Sequence, residues 1–225
     1  MEDAIKRMDV FRDESWNYFQ RNHKDKNIRE VSPSRQFKSI FRVYPIDLKG
    51  FSVLEIGCGS ACNLLWLKEQ FEIKRAVGTE PSTKVVEKLS FEFPEFEFYH
   101  SDSRVLPFGN SEFDLVIFRG VLLWVDRNYI MQSIGEAIRV SSRYLIISDF
   151  APHLPYSTVY HHRPQYRSYK ISYQPLVEAT GFVRCLGSIY IDDGDEWNAC
   201  QTSLFRKIDL EEAFPLRSEK DFKKR

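Results

Sequence analysis

From residue 51 onward, short apolar runs alternate with stretches of helical periodicity, and this alternation constrains the fold more than any other feature of the sequence. Such alternation is typical of repeated βα units around a mostly parallel sheet. The apolar runs predict strands at residues 51–56, 76–79, 115–118 and 144–147. A helix is predicted between the last two strands, with a buried stripe formed by Ile130, Ile134, Ala137 and Ile138. The sequence therefore predicts an α/β fold.

Three local patterns refine this prediction. Phe96 and Phe98 alternate with acids, which indicates a half-exposed strand at the edge of the sheet. Pro81 follows the second strand and suits the first position of the next helix. Residues 182–191 and 197–205 flank an acidic turn, which predicts a closing β-hairpin and an antiparallel last strand.

Length and composition limit the chain to one domain and a few classes of partner. Its 225 residues, 43% of them apolar, suffice for one hydrophobic core. Lys and Arg total 32, as do Asp and Glu, and this zero net charge disfavours DNA as a partner. No run approaches the ~18 uninterrupted apolar residues of a membrane span, and the start has no apolar signal core. The scattered cysteines indicate neither a disulfide framework nor a zinc site, so we expect a metal-free protein in the reducing cytoplasm.

Residues 53–61 run from a strand through a glycine turn toward a helix. Gly57 and Gly59 allow backbone amides to approach a ligand, and the following helix N-terminus adds partial positive charge. Such a turn is typical of nucleotide sites. A dinucleotide fingerprint needs a third glycine where this chain has Cys62, which disfavours a nicotinamide-dependent oxidoreductase. Glu55, at the end of the strand, is suited to hold an ammonium group.

Two further acidic side chains follow the next strands of the predicted sheet. Glu80 ends the second strand and precedes Pro81, and Asp102 follows the third strand and precedes Ser103. The carboxyl ends of parallel strands are where open α/β sheets bind ligands. We therefore expect both carboxylates at one ligand site, with polar loop residues at helix starts as the alternative interpretation.

The three motifs, in this order along residues 33–150, resemble those of the class I S-adenosylmethionine-dependent methyltransferases, in particular the type 11/12-like group that acts on small molecules. The first motif is the acid-x-Gly-x-Gly loop, in which Cys58 stands between the two glycines. Ala61 departs from the family, which usually has a third glycine there.

The resemblance implies S-adenosyl-L-methionine as the cofactor and assigns roles to single residues. Glu80 would accept hydrogen bonds from both ribose hydroxyls. Asp102 would contact the adenine amino group, and the backbone amide of Ser103 would reach the ring. Arg35, in a Pro-Ser-Arg stretch before the sheet, would neutralise the methionine carboxylate. Arg119, after the fourth strand, departs from the small polar residue that is usual in the family, and it would pair with the methionine carboxylate or an anionic substrate. For both arginines, surface charge or a salt bridge at the rim is the alternative.

The resemblance also implies the architecture. We expect a doubly wound, mostly parallel, seven-stranded Rossmann-like sheet with an antiparallel last strand and an N-terminal helical cap. A single domain would comprise a helical lid at 1–50, a cofactor-binding core at 51–150, an acceptor loop at 151–170, a C-terminal helix and hairpin at 171–206, and a tail at 207–225.

The irregular segment after the fifth strand contains the candidate catalytic residues. Because the sulfonium of the cofactor carries an activated methyl group, the protein has mainly to align an acceptor with it. A hydroxyl acceptor also gains from a general base. Tyr160, His161 and His162 are the candidates, since a histidine titrates near neutrality. Asp149, at the end of the fifth strand, is a second option.

Two sequence motifs that this chain lacks restrict the class of methyl acceptor. After the fourth strand the chain lacks the Asn/Asp-Pro-Pro-aromatic and Pro-Cys signatures, which disfavours amino methylation of DNA or protein glutamine and cytosine carbon methylation. We expect methyl transfer to a small metabolite, with an oxygen acceptor such as a sugar or glycan precursor. The alternatives are a protein or tRNA methyltransferase and a catalytically idle cofactor-binding module. The sequence leaves the oligomeric state open.

Overall fold

The computed structural model describes residues 14–164, 166–191 and 199–209, and a seven-stranded sheet forms the centre of this part of the chain. The strands of the sheet are β1 (Ser52–Ile56), β2 (Arg75–Glu80), β3 (Glu97–His100), β4 (Phe113–Arg119), β5 (Ser141–Phe150), β8 (Val183–Ile191) and β9 (Cys200–Lys207). Strands β6 (Tyr156–Val159) and β7 (Arg167–Lys170) form a separate two-stranded sheet.

The strand order is β3-β2-β1-β4-β5-β9-β8. Neighbouring strands from β3 to β5 pair in parallel, whereas β9 is antiparallel to both β5 and β8. The chain winds outward from β1 in one direction and resumes at β4 in the other, so the order reverses between β1 and β4. Ligands bind outside the carboxyl ends of the strands at such a reversal. The predicted fold class, with its antiparallel last strand, is confirmed.

Helices cover both faces of the sheet. They are α1 (described over residues 14–23), α2 (Arg35–Val43), α3 (Cys62–Gln70), α4 (Thr83–Glu92), α5 (Ile130–Val140) and α6 (Gln174–Glu178). Because side chains alternate along a strand, neighbours on β1 enter different cores. Val53 packs with residues of α1 to α4, and Leu54 packs with residues of α5 and α6. The predicted stripe of α5 is buried in the second core.

Two details differ from the sequence prediction. Helix α4 begins at Thr83 after the N-cap Ser82, whose backbone is extended, so Pro81 precedes the helix and does not start it. The segment expected to be irregular, 151–170, contains the β6–β7 hairpin, in which the hydroxyls of Thr158 and Ser168 lie 2.8 Å apart. Most side chains of β6 are exposed, so the hairpin lacks the apolar alternation by which a strand is recognised in a sequence.

The C-terminal hairpin is present as β8 and β9, and β3 lies at the sheet edge as predicted. Parts of other predictions lie outside the described residues. These are Trp197 and the acidic turn at 192–196, the first 13 residues of the proposed lid, and most of the tail from residue 210. A search of the described helices finds none that combines the length and the hydropathy needed to cross a membrane.

Candidate functional site

The turn between β1 and α3 brings backbone to the carboxyl edge of the sheet. Gly57 has a φ of 68°, and a Cβ atom added there would lie 2.7 Å from Cγ2 of Val121, so both conformation and space require glycine. Ala61 has a φ of 58°, in the left-handed region that glycine adopts without strain. The turn therefore retains a glycine-like conformation at the position where this chain departs from the family motif.

The carboxylate of Glu80 closes this turn from the neighbouring strand. The side chain is 5% exposed, and its Oε1 accepts a hydrogen bond of 2.6 Å from the backbone N–H of Gly59. Its Oε2 accepts a second bond, also 2.6 Å, from the hydroxyl of Ser15 in α1. Burial raises the pKa of Glu80, and these two hydrogen bonds oppose the rise. Because a carboxylate accepts about four hydrogen bonds, Glu80 has capacity for ribose hydroxyls.

Glu55 has a buried oxygen without a partner. The side chain is 1% exposed, and Asn63 donates to its Oε1, while Oε2 has no hydrogen-bond partner among the described residues. Burial raises the pKa of Glu55 to about 8, although Asn63 and the charge of Arg119 lower it. A buried acceptor without a donor costs about 1–3 kcal/mol. An ammonium group at Oε2 would satisfy it, so the site fits the amino group of S-adenosylmethionine.

Asp102 lies just after β3, which places it at the same sheet edge as Glu80. The backbone N–H of Ser101 donates to the carbonyl of Glu80 at 3.0 Å and connects the two strand ends. Arg104 holds the Asp102 carboxylate with two side-chain bonds of 2.8 Å each. The hydroxyl of Ser103 lies 2.9 Å from that of Ser133. An adenine amino group would therefore share Asp102 with Arg104.

The two arginines proposed for the methionine carboxylate have different surroundings. Arg119 is half-buried, its Nε donates to the Ser34 hydroxyl at 3.3 Å, and its charge lowers the pKa of Glu55. This places Arg119 at the end of the site where the methionine part would lie. Arg35 instead lines a groove of about 680 Å³ between α2 and α3.

The proposed catalytic residues lie beside α1. The hydroxyl of Tyr160 donates to Glu14 at 2.5 Å, and its ring packs edge-on against Trp124 with centroids 4.9 Å apart. Burial and the hydrogen bond to Glu14 raise the pKa of Tyr160, so the phenol keeps its proton near neutral pH. His161 and His162 are exposed, with ring centroids 3.7 Å apart. The structure therefore brings Tyr160 and the histidines together at one end of the hairpin.

Two buried or half-buried groups complete the acceptor side. Asp149 accepts backbone hydrogen bonds from Phe150 at 2.8 Å and Leu123 at 3.3 Å. Burial raises its pKa to about 7, which these bonds oppose. The guanidinium of Arg127 lies 4.6 Å from the ring centroid of Tyr169, and its Nε and Nη1 have no hydrogen-bond partner among the described residues. Its Nη2 donates to two backbone carbonyls of the loop after β4.

Sequence reasoning missed Glu14 and Ser15. Glu14 contacts the proposed acceptor segment and Ser15 contacts Glu80, yet both belong to a helix whose sequence carries no motif. A Glu-Ser pair at a helix surface is ordinary, and only the tertiary structure shows where these side chains lie. Arg127 was missed for the same reason.

Comparisons with known proteins agree with this geometry. Residues 53–143 match a family model described as a methyltransferase domain. No curated protein matches the chain in sequence. One similar structure is that of 1,6-didemethyltoxoflavin-N1-methyltransferase from Burkholderia thailandensis, with 1,6-didemethyltoxoflavin and S-adenosylhomocysteine bound. Its TM-score is 0.66 at 13% identity, over 92% of this chain and 89% of the other.

Two other solved structures are also similar to this chain. Magnesium protoporphyrin IX methyltransferase from Synechocystis, solved with S-adenosylmethionine, has a TM-score of 0.60 at 16% identity, over 90% of this chain and 97% of the other. A chain from the complex between the Haloferax volcanii Trm112 methyltransferase activator and a methyltransferase has a TM-score of 0.68 at 15% identity, over 88% of this chain and 98% of that chain. At these identities the structures show a shared fold. The match of residues 53–143 adds that this part of the chain is similar to a methyltransferase domain.

Proposed function

We propose that this chain, whose residues 53–143 match a methyltransferase domain, is a class I S-adenosylmethionine-dependent methyltransferase that methylates a small metabolite, through an oxygen acceptor such as a sugar or glycan precursor. The observation that carries the cofactor part is the hydrogen bond from the Gly59 amide to Glu80, beside the buried Glu55 oxygen that has no partner within the described ranges. The cytoplasm remains the proposed location, in keeping with four free cysteines.

The position of each residue indicates which part of the cofactor it would bind. When bound, S-adenosylmethionine supplies a methyl group already activated on its sulfonium. Glu55 would hold the amino group, Glu80 the ribose hydroxyls and Arg119 the methionine carboxylate. Holding two reactants in register can supply up to about 7 to 11 kcal/mol of a barrier, so positioning is the main contribution that we assign to the protein.

An oxygen acceptor would lose its proton to a base on the acceptor side. His162 is our candidate, because partial desolvation of this exposed ring and the charge of Arg21 lower its pKa, which favours the neutral imidazole that a base requires. Tyr160 keeps its proton and is better suited to donate or to orient than to act as a base. His161 is the alternative base, and Asp149 the second one.

A small acceptor is supported by the contacts between α1 and the β6–β7 hairpin. Glu14 of α1 binds both Tyr160 and Arg163, so these elements meet at the acceptor side of the sheet. A site bordered by two such elements suits a molecule of metabolite size. Both named relatives with small substrates, a toxoflavin precursor and magnesium protoporphyrin IX, share the fold.

A macromolecular acceptor is the second candidate, because one observation favours it. Arg35, Lys38 and Arg42 of α2 line the 680 Å³ groove together with Trp66, and none of the described residues that line it is acidic. Cationic side chains beside an aromatic ring are typical of surfaces that bind a nucleic-acid strand. The complex with the Trm112 activator also shows that a protein of this fold assembles with a protein partner.

One labelling experiment separates these candidates. The purified protein is incubated with methyl-labelled S-adenosylmethionine and either a metabolite extract, total tRNA or a protein extract. The proposal predicts label in the small-molecule fraction, and label in RNA or protein would favour the second candidate. Binding of the cofactor without transfer to any fraction would favour an idle cofactor-binding module.

A further inference from the structure

Two consecutive residues of α1 contact the two halves of the proposed site. The hydroxyl of Ser15 donates to Oε2 of Glu80 at 2.6 Å. The carboxylate of Glu14 accepts from the hydroxyl of Tyr160 at 2.5 Å and forms an ion pair with Nε of Arg163 at 3.1 Å. Because consecutive residues of an α-helix point about 100° apart, a single helical turn reaches both elements at once.

The contacts at each end of this link involve a charged group. Glu80 is almost fully buried, and a hydrogen bond to a charged group stabilises more than one between neutral groups. Glu14 is 13% exposed at its side chain and also pairs with Arg21, which itself donates to the hydroxyl of Tyr160 at 2.6 Å. The four groups at the Glu14 end therefore form a closed network that includes both α1 and the hairpin.

The hairpin end of this network has a second support. The ring of Tyr160 packs against Trp124 of the loop after β4. The hairpin turn is also closed by its own backbone bonds, from Tyr160 to the carbonyl of Tyr166 and from Tyr166 to the carbonyl of Arg163. The position of Tyr160 is thus fixed between α1 on one side and Trp124 on the other.

We propose that Ser15 and Glu14 are positioning residues that couple occupancy of the cofactor site to the placement of the acceptor hairpin. Ser15 orients the Glu80 carboxylate, and Glu14 holds Tyr160 and Arg163. This inference rests on the proposed function, because Glu80 is taken as the acid that binds the cofactor ribose. Linkage requires the coupling to be reciprocal, so loss of the Glu14 network also weakens cofactor binding.

Hydrogen exchange with S-adenosylhomocysteine as the probe tests this coupling. In the wild-type protein, saturating S-adenosylhomocysteine slows exchange at the amides of Tyr160 and Tyr166 by about fivefold or more, the lower bound of ordinary couplings. In Ser15→Ala at saturation, this protection of the hairpin is lost. Ser15→Thr, which keeps the hydroxyl, restores it. Asn22→Ala is the matched control, since Asn22 lies on the same helix and donates to the Tyr18 carbonyl of α1.

Glu14→Gln provides a second variant, which leaves the bond between Ser15 and Glu80 in place. We expect it to bind S-adenosylhomocysteine about fivefold more weakly and to lose hairpin protection. The inference is overturned if saturating S-adenosylhomocysteine protects the hairpin of Ser15→Ala or Glu14→Gln as much as it protects the wild-type hairpin. It is also overturned if the probe binds the wild-type protein but leaves its hairpin unprotected. Failure of the wild-type protein to bind the probe at all instead overturns the proposed function.

Discussion

The cofactor half and the acceptor half of the carboxyl edge are built differently. In the proposed cofactor half, Glu55 and Glu80 lie at the carboxyl ends of strands β1 and β2, and Gly59 lies in the turn after β1 and donates to Glu80. In the acceptor half, Tyr160 contacts Glu14 across 146 positions of sequence, on elements outside the main sheet. The comparison teaches that residues positioned by strand ends can be recognised from a sequence, whereas those positioned by side chains of remote helices cannot.

The strongest test of the cofactor half is Gly57→Ala. The new Cβ would lie 2.7 Å from Val121, and the φ of 68° would strain any L side chain. Overpacking and the left-handed backbone together predict a loss of about 3 kcal/mol in the free energy of unfolding. Urea denaturation measures it.

Gly50→Ala is the matched control. Gly50 has a φ of 75°, but a Cβ there meets nothing within 4 Å, so only the backbone strain of about 1 kcal/mol is expected. Equal losses in the two variants would mean that Val121 does not restrict the turn.

In the acceptor half, the variant His162→Gln tests whether His162 is the general base. Methyl transfer is measured with the acceptor that the labelling experiment identifies. We expect kcat to fall by about a hundredfold, whereas His161→Gln changes it little. Because the pKa of His162 is lowered and a base must be neutral, kcat/KM of the wild type should rise with pH to a plateau, with a midpoint below the ordinary histidine value. A larger loss in His161→Gln would transfer the role to that residue.

The difference between residues placed by strand ends and residues placed by remote helices also decides what could be predicted from the sequence. The glycine turn and the parallel strands around it could be predicted because local conformation and strand periodicity determine them, whereas the seven-stranded architecture was expected from the family resemblance. The bond from Ser15 to Glu80 could not be predicted, since it depends on how α1 packs on the sheet. The β6–β7 hairpin was missed because its mostly exposed strands lack apolar alternation. The role of Arg35 stays a prediction, and the structure places this residue at the α2–α3 groove.

The pH dependence of stability tests the burial of Glu55. The folded protein raises the pKa of this acid to about 8, from 4.5, so it binds the proton more tightly than the unfolded chain does. This stabilisation is complete below pH 4.5 and is lost as pH rises toward 8. Relative to Glu55→Gln, the wild type should therefore lose stability across this window in ligand-free thermal or urea unfolding. A constant difference between the two proteins would indicate a hydrated carboxylate.

Ala61→Gly has the smallest expected effect. Ala61 is fully buried with a φ of 58°, so glycine would relieve backbone strain while losing the contacts of one methyl group. We expect the free energy of unfolding to rise by up to about 1 kcal/mol, with no loss of cofactor affinity. A loss of stability would show that the methyl contacts outweigh the strain.

Calorimetric titration with S-adenosylhomocysteine, comparing wild type with Glu80→Gln, tests the central claim most directly. The account predicts saturable binding at one site per chain, weakened by about tenfold or more when the charge of Glu80 is removed. Absence of binding to the wild-type protein, or equal affinity in Glu80→Gln, would contradict it.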